Sequence, residues 1–281
     1  MFYISRYLYE LDAHLDRLLK SAAMARITPP LSKEMLKNIL VETVSASCSR
    51  NGLLRYWLSA GPGGFDLSSK ECICSTFYAV VVVSPGKQPE SYESVRVITS
   101  SIPMKPTQFA IMKSVNYLPN ALSQLEAEDK GAFAGIWVDD EGYVAEGPNT
   151  NVAFVNKDGE LLMPSFDNIL SGCTAKRILA LAHQFLEVSE YQSCPLKGIK
   201  VGPISVIEGK NASEMMLIGS GLPIIPIIQW DQQTIGNGNI RGIIFKNLLT
   251  HSHIHVFNVD CTLNNIHTSN IVLLTSSASE L

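Results

Sequence analysis

The chain has 281 residues, of which 46% are hydrophobic and 17% are charged, and its formal net charge is -4. A chain this apolar can bury enough surface to offset its folding entropy, so the composition excludes a disordered or low-complexity protein. The 22 lysine and arginine residues are outnumbered by 26 aspartate and glutamate residues, which argues against nucleic acid as a main partner because phosphate backbones bind to basic surfaces.

The first hundred residues predict a small α+β domain, with bounds 1–100. Apolar residues recur at helical spacing from Leu8 to Ala25, and again after Ser32, which can cap a second helix through about Ser49. Three strands, separated by turns rich in glycine and proline, are predicted at about 53–59, 72–83 and 95–100.

A second, larger domain is predicted over residues 113–250, after an extended interdomain linker at 101–112. The linker contains Pro103 and Pro106, and each proline disfavours a helical conformation at the residue before it. Helices are predicted at about 117–130 and 174–187. Strands are predicted at about 135–139, 142–146, 152–156, 160–163, 201–207, 215–219 and 224–230.

Residues 251–281 lose the helical period and predict a divergent tail of uncertain order. His251, His253 and His255 could share one face of a strand and bind a metal ion. A solvated tail is the simpler interpretation of these residues, and no metal site is expected.

The sequence also carries expectations about compartment and membrane. No apolar run approaches the roughly 20 residues that cross a bilayer, so no membrane span is expected. The N-terminus has the pattern of neither a secretory signal nor an import leader. Six cysteines without a CxxC motif favour a reduced, intracellular protein that lacks zinc and disulfides.

Lys113 follows the apolar stretch Phe109–Met112 and precedes Tyr117 by four residues. A lysine among apolar residues suits covalent chemistry with carbonyl groups, because desolvation favours the neutral, nucleophilic amine. A surface lysine at the end of a strand is the simpler alternative for this residue taken alone.

Three other segments could bind a cofactor. Glu146 opens the turn Glu-Gly-Pro-Asn-Thr-Asn151 and could face a cationic ring nitrogen, or be an ordinary loop glutamate. Cys173 and Thr174 precede or begin a helix whose N-terminus could bind a phosphate, or Thr174 could simply cap that helix. Ser220 lies in a Gly-Ser-Gly turn that could bind the same phosphate or be an ordinary tight turn.

The order and spacing of these segments resemble the fold-type IV pyridoxal-phosphate enzymes, which include branched-chain aminotransferases, D-amino-acid aminotransferases and aminodeoxychorismate lyases. Glu146 follows Lys113 by 146 − 113 = 33 residues, and the Glu-Gly-x-x-x-Asn element is the signature of that family. The resemblance implies a two-domain α+β fold of the D-amino-acid aminotransferase type. The resemblance covers roughly residues 7–250. Within the family, the sequence most resembles plant D-amino-acid aminotransferase-like proteins.

The resemblance also implies a role for each matching residue. Lys113 would hold pyridoxal 5'-phosphate covalently and move a proton at the substrate Cα. Glu146 would keep the ring nitrogen protonated, Tyr117 would lie near the ring hydroxyl, and Asn151 would have a structural role. The residues that would bind the phosphate are Arg17, Thr174 and Ser220, with the Cys173 backbone beside them.

The implied function is transamination between a D-amino acid and a 2-oxo acid, with aminodeoxychorismate lyase or branched-chain aminotransferase as alternatives. A homodimer is expected, and related plant proteins imply a plastid, although the chain shows no transit peptide and would otherwise be cytoplasmic. Residues 59–66 lack the Arg and His that bind the substrate carboxylate in bacterial D-amino-acid aminotransferases. The family's additional first strand is expected to be missing, so an inactive truncated isoform that pairs with a full-length subunit is a further alternative.

Overall fold

The computed structural model describes residues 2–4, 7–83, 94–187, 196–221, 224–238 and 256–258. The chain divides into two compact units, the first holding the residues up to Gln88 with the segment from His255, and the second running from Pro89 to Ile254. Each unit contains its own sheet and its own buried core, which confirms the α+β class.

The first unit packs two helices, α1 (Leu11–Met24) and α2 (Lys33–Ala46), on an antiparallel sheet. The five strands, in their order across the sheet, are β13 (Val256–Asn258), β2 (Tyr7–Tyr9), β1 (Phe2–Ile4), β3 (Gly52–Ser59) and β4 (Thr76–Val82). A short 3-10 helix, Ser69–Glu71, lies in the connection between β3 and β4. The buried side chains that join helices and sheet are Leu8, Leu11, Leu15, Leu36, Leu40, Val44, Leu54 and Val81.

Helix α1 begins later than the sequence pattern predicts. The predicted first residue, Leu8, is instead a fully buried strand residue that pairs with β1 and with β13. Glu10, with φ of 49°, takes the left-handed conformation that separates this strand from the helix. Of the predicted tail 251–281, the structure describes Val256–Asn258 as a strand, and the three histidines lie outside the described residues.

The second unit is built on an eight-stranded mixed sheet. Its strands are β5 (Val95–Thr99), β6 (Ala134–Ile136), β7 (Asn151–Val155), β8 (Glu160–Met163), β9 (Gly198–Val201), β10 (Glu214–Ile218), β11 (Ile224–Trp230) and β12 (Gln233–Thr234). Seven follow the order β6-β5-β11-β10-β7-β8-β9, and β12 pairs with β11. The helices are α3 (Thr107–Ala110), α4 (Leu118–Asp129), α5 (Cys173–Glu187) and α6 (Val206–Lys210).

Strand β7 is buried along its whole length and contributes side chains to two buried clusters of this unit. Ala153 and Val155 pack in one cluster with the apolar face of α5, whereas Val152 and Phe154 pack in the other with Trp230. Side chains alternate between the two faces of a strand, so the apolar run of β7 serves both clusters.

Strand β5 belongs to the larger sheet, although the sequence assigned residues 95–100 to the small domain. Val95–Thr99 pairs in parallel with β11 on one side and with β6 on the other. Parallel pairing joins strands that are far apart in the chain, so no local pattern identifies the partners.

Two other local predictions were wrong. The segment 142–146 contributes isolated bridges, Val138 with Val144 and Tyr143 with Ser205, rather than a strand. The segment 201–207 contains only the end of β9 and then the start of α6. Ser205 begins that helix because its hydroxyl accepts a hydrogen bond from the Glu208 amide at 3.1 Å.

Helix α4 buries small and polar residues and exposes larger apolar ones. Asn120, Ser123 and Ala127 lie inward, and Ser123 passes so close to β6 that a Cβ at Gly135 would come within 2.5 Å of its Oγ. The exposed apolar residues are Leu118, Leu122 and Leu125. Hydrogen bonds and the close approach of small residues therefore position this helix on the sheet, rather than a stripe of buried leucines.

Among the described residues, no helix is long and apolar enough to cross a membrane.

Glu126 ties α4 to the segment that follows β5. Its carboxylate accepts hydrogen bonds from the Ser100 hydroxyl at 2.8 Å, from the Ser101 amide and hydroxyl at 2.9 and 2.7 Å, and from Lys130 at 2.8 Å. Burial by itself would raise the pKa of Glu126, but the hydrogen bonds from Lys130, Ser101 and Ser100 outweigh it and lower the pKa from 4.5 to about 2.

We predict that Glu126→Gln destabilises the second unit at neutral pH, by about 1 to 3 kcal/mol, because the native carboxylate is stabilised over its unfolded form. A lowered pKa contributes stability that is complete above the ordinary value of 4.5 and is lost as the pH falls toward 2. Thermal unfolding of both proteins between pH 7 and pH 2 should show a difference that shrinks on acidification.

Glu128→Gln is the control on the same helix, because Glu128 is exposed and accepts a hydrogen bond only one turn away, from Gln124 at 2.9 Å. It should leave the unfolding temperature nearly unchanged. An equal loss of stability in both variants would show that the hydrogen bonds of Glu126 do not stabilise the second unit more than those of an exposed glutamate.

Candidate active site

Lys113 and Tyr117 meet on the segment that connects α3 to α4. The Lys113 amine donates a hydrogen bond to the Tyr117 hydroxyl and lies 4.9 Å from the centre of the ring. Tyr117 is the residue before α4, and its carbonyl accepts a hydrogen bond from the Ala121 amide at 2.9 Å. The first helical turn thus fixes the backbone of the residue that Lys113 contacts.

The environment of Lys113 differs from the one that its apolar neighbours suggested. The side chain is exposed, and Phe109, at the start of the apolar stretch, is 43% exposed as well. These neighbours therefore leave the Lys113 side chain at the surface, although Ala110 is buried and Ile111 and Met112 are half-buried.

Glu146 is the buried carboxylate of this region, with 6% of its surface exposed. Its Oε2 accepts hydrogen bonds from the Leu170 amide at 3.2 Å and from the Asn151 side-chain amide at 3.4 Å. The same Asn151 nitrogen donates to the Leu170 carbonyl at 2.9 Å. Buried charged groups require such partners, so these three residues form a mutually dependent set.

Gly172 lets the start of α5 approach this set. A Cβ at position 172 would lie 2.0 Å from Asn151 Oδ1, so a residue with a side chain could not occupy this position without moving one of the two. Helix α5 begins at Cys173, and the Lys176 amide donates to the Gly172 carbonyl at 2.9 Å. Thr174 is therefore within the first turn rather than capping it, near the positive end of the helix dipole.

Two further contacts connect the remaining segments to the Glu146 turn. Strands β10 and β7 are antiparallel with Ile218 opposite Asn151, so the Ser220 turn leaves the sheet beside the residue that holds Glu146. Asn120, one turn into α4 from Tyr117, donates a hydrogen bond to the Pro148 carbonyl. Pro148 lies within the turn between Glu146 and Asn151.

Arg17 belongs to the first unit, on helix α1. It is half-buried, and one guanidinium nitrogen lies 3.4 Å from Nδ1 of His14, one turn earlier on the same helix. Its assignment to a cofactor phosphate remains a prediction, as do the roles of the residues in the second unit.

Sequence reasoning missed Leu170 and Asn120. Leu170 acts through its backbone amide and carbonyl, and a backbone group gives no signal in the residue type. Asn120 carried a signal, because it lies three residues after Tyr117 and therefore on the same side of the helix. Within the described part of the chain, no group of three or more His, Cys, Asp or Glu side chains could hold a metal ion.

The chain is similar to a known plant protein over most of its length. The D-amino-acid transaminase, chloroplastic, of Arabidopsis thaliana is 56% identical over 252 residues, which make up 88% of this chain and 64% of that protein. The chain thus spans a little less than two thirds of the length of this relative.

Two solved structures share the fold over 89% of this chain. The branched-chain amino acid aminotransferase from Thermobaculum terrenum in PLP-form superimposes with a TM-score of 0.75 at 22% identity and is covered to 80%. A putative 4-amino-4-deoxychorismate lyase from Legionella pneumophila superimposes with a TM-score of 0.76 at 20% identity and is covered to 87%. Residues 1–230 match the family model described as Amino-transferase class IV. The chain therefore belongs to the class IV aminotransferases, the fold-type IV family whose motif residues it carries.

Proposed function

We propose that this chain is a pyridoxal-phosphate-dependent aminotransferase that transfers an amino group between D-amino acids and 2-oxo acids. The observation that carries the proposal is the 56% identity with the Arabidopsis protein named D-amino-acid transaminase. Its substrates are accordingly an amino acid and a 2-oxo acid.

The donor set fits pyridoxal phosphate, the cofactor in the solved Thermobaculum relative. Lys113 supplies an amine for the cofactor aldehyde, and Glu146 supplies a fixed carboxylate for the ring nitrogen. The N-terminus of α5 and the hydroxyls of Thr174 and Ser220 suit a phosphate. The absence of a side chain at Gly172 allows the start of α5 to lie close to Asn151. We also assign the Arg17 side chain and the Cys173 backbone amide to the phosphate.

Bound pyridoxal phosphate supplies a ring that accepts electrons from the substrate Cα. The Nζ of Lys113 would remove the proton from the substrate Cα, which requires the amine in its neutral form, and would then donate that proton to the carbon atom of the cofactor. The Tyr117 hydroxyl accepts a hydrogen bond from Nζ and so limits where the amine can lie. Asn151 and the Leu170 amide donate hydrogen bonds that hold the Glu146 carboxylate in place.

Aminodeoxychorismate lyase is the second candidate, because it uses the same proton transfer at Cα but then releases 4-aminobenzoate and pyruvate. The solved Legionella protein named as a putative lyase shares the fold. Branched-chain aminotransferase is a third candidate. The non-catalytic alternative is an inactive chain that pairs with a full-length subunit. We also propose a homodimer, and a chloroplast location by analogy with the Arabidopsis relative.

The attachment of the cofactor can be tested on the purified chain incubated with pyridoxal phosphate. Borohydride should fix the cofactor, and mass spectrometry of the digested protein should locate it on Lys113. Lys113→Ala should lose both this modification and the visible absorption band, and turnover should fall by at least about 100-fold because the residue that moves the proton is gone. Lys157→Ala, at an exposed turn of the same unit, should retain all three.

The reaction can be assigned with three parallel assays. D-Alanine with 2-oxoglutarate should give pyruvate, whereas L-leucine and aminodeoxychorismate should be turned over more slowly. Release of 4-aminobenzoate as the fastest reaction would establish the lyase instead. Cofactor fixed at Lys113 without turnover of any substrate would favour the inactive chain, and modification at other lysines alone would contradict the cofactor assignment.

We further predict that Gly172→Ala weakens cofactor binding by about tenfold and destabilises the protein by about 1 to 3 kcal/mol. The new methyl group would lie 2.0 Å from Asn151 Oδ1 and would push this side chain away from Glu146 and Leu170. A titration of the apoprotein with pyridoxal phosphate, followed by absorbance, measures the loss.

Gly202→Ala is the matched control, because a Cβ there would meet nothing within 4 Å. It should bind the cofactor as the wild type does. Equal affinities of the two variants would indicate that Asn151 and the start of α5 do not depend on one another.

A further inference from the structure

We propose that Lys105 is a positioning residue that holds the Tyr117 ring in place for Lys113. This inference rests on the proposed function, since it concerns the pair that we assign to proton transfer. Lys105 is only 8% exposed, and its ammonium nitrogen lies 5.4 Å from the centre of the Tyr117 ring. Lys113 approaches the same ring at 4.9 Å, so two lysines contact one tyrosine.

Burial of Lys105 requires an explanation, because lysine is rarely buried without a compensating partner. The Tyr117 ring is such a partner, since the negative face of an aromatic ring attracts a cation within about 6 Å and the attraction grows where water is excluded. The exposed Lys113 makes the corresponding contact in a more polar environment, where the attraction is weaker.

The backbone around Lys105 is held on both sides. Pro103 and Pro106 restrict the residues before them to extended conformations. The Ile102 carbonyl accepts a hydrogen bond from Trp137 Nε1 at 2.9 Å, and the Pro106 carbonyl accepts one from the Ala110 amide at 3.0 Å. Glu126 also anchors Ser100 and Ser101, as described above, so Lys105 extends from a segment with little freedom.

The two lysines therefore have different parts in the contact with Tyr117. Lys113 must leave and regain the phenol as it moves a proton, whereas Lys105 has a fixed backbone and stays. With Lys105 in place, the ring keeps its position when Lys113 departs, and the amine returns to the same hydroxyl. Lys105 acts through Tyr117 and is not itself a catalytic residue.

The experiment compares Lys105→Met, which keeps the apolar stem and removes the charge, with Lys105→Arg, which keeps a cation able to stack on the ring. Lys157→Met is the control for loss of a lysine charge at an exposed turn of the same unit. In the holoenzyme, Lys105→Met should lower kcat about tenfold and change KM by less than about twofold, because misplacement of a reacting group slows chemistry. Lys105→Arg should restore most of kcat, and Lys157→Met should match the wild type.

A second readout does not depend on turnover. A double-mutant cycle of Lys105→Met and Tyr117→Leu on thermal unfolding of the apoprotein should be non-additive by about 1 to 4 °C, since each change removes the same cation–ring contact. Lys105→Gln replaces Lys105→Met in the cycle if the latter does not fold.

The outcomes separate this inference from the proposed function. A wild-type chain that fails to bind pyridoxal phosphate refutes the proposed function before any variant is made, and with it the role of Lys105 in proton transfer. A wild type that turns over substrate, together with an unchanged kcat in Lys105→Met or an additive cycle, refutes the positioning role alone. Failure of both neutral variants to fold, with an intact arginine variant, would assign Lys105 to structure and would also overturn the inference.

Discussion

The need to stabilise one buried carboxylate determines how the second unit is arranged around its candidate site. Glu146 has only 6% of its surface exposed, and a buried ion without hydrogen-bond partners is costly. Two of its partners are the side chain of Asn151, the first residue of β7, and the backbone amide of Leu170. Because the Asn151 side chain also donates to the Leu170 carbonyl, hydrogen bonds link these three residues to one another.

This requirement extends outward through backbone geometry. The loop that carries Leu170 leads within three residues into α5, so anchoring the loop also places the start of that helix. The pairing of Ile218 with Asn151 places the end of β10 beside the same residue. Asn120 brings α4, and with it the Tyr117 end of the helix, to the turn between Glu146 and Asn151. The groups assigned to the cofactor within this unit are thus connected through one hydrogen-bonded turn.

The sequence predicts the parts of this arrangement that depend on local chemistry. Helix α2 begins after Ser32, whose hydroxyl accepts a hydrogen bond from the Met35 amide, and the bounds of α5 differ from the prediction by one residue at its start. The four-residue spacing of Lys113 and Tyr117 likewise corresponds to a direct contact. Capping and helical periodicity operate over a few residues, so a single chain is sufficient to identify them.

The rest depends on contacts between distant segments or on backbone groups. Strand β5 has parallel neighbours far away in the chain, and Val256–Asn258 pairs with β2 across more than two hundred residues, so neither partner could be inferred locally. The hydrogen bonds of Leu170 come from its backbone. The buried face of α4 carries Asn120 and Ser123 rather than leucines, so a search for an apolar stripe orients this helix wrongly.

The pairing of β7 with β10 also determines where this protein can change its length during evolution. A shift of one residue between these strands would turn every side chain of β7 to the opposite face, which would separate Asn151 from Glu146 and disturb both core clusters at once. The turn after β7, where Asn156 binds the Glu160 amide and side chain, lies beyond that pairing. Insertions at this turn would leave the register intact, whereas insertions between Glu146 and Asn151 would not be tolerated. Related chains should therefore vary in length at the turn between Asn156 and Glu160 and keep a constant length between Glu146 and Asn151.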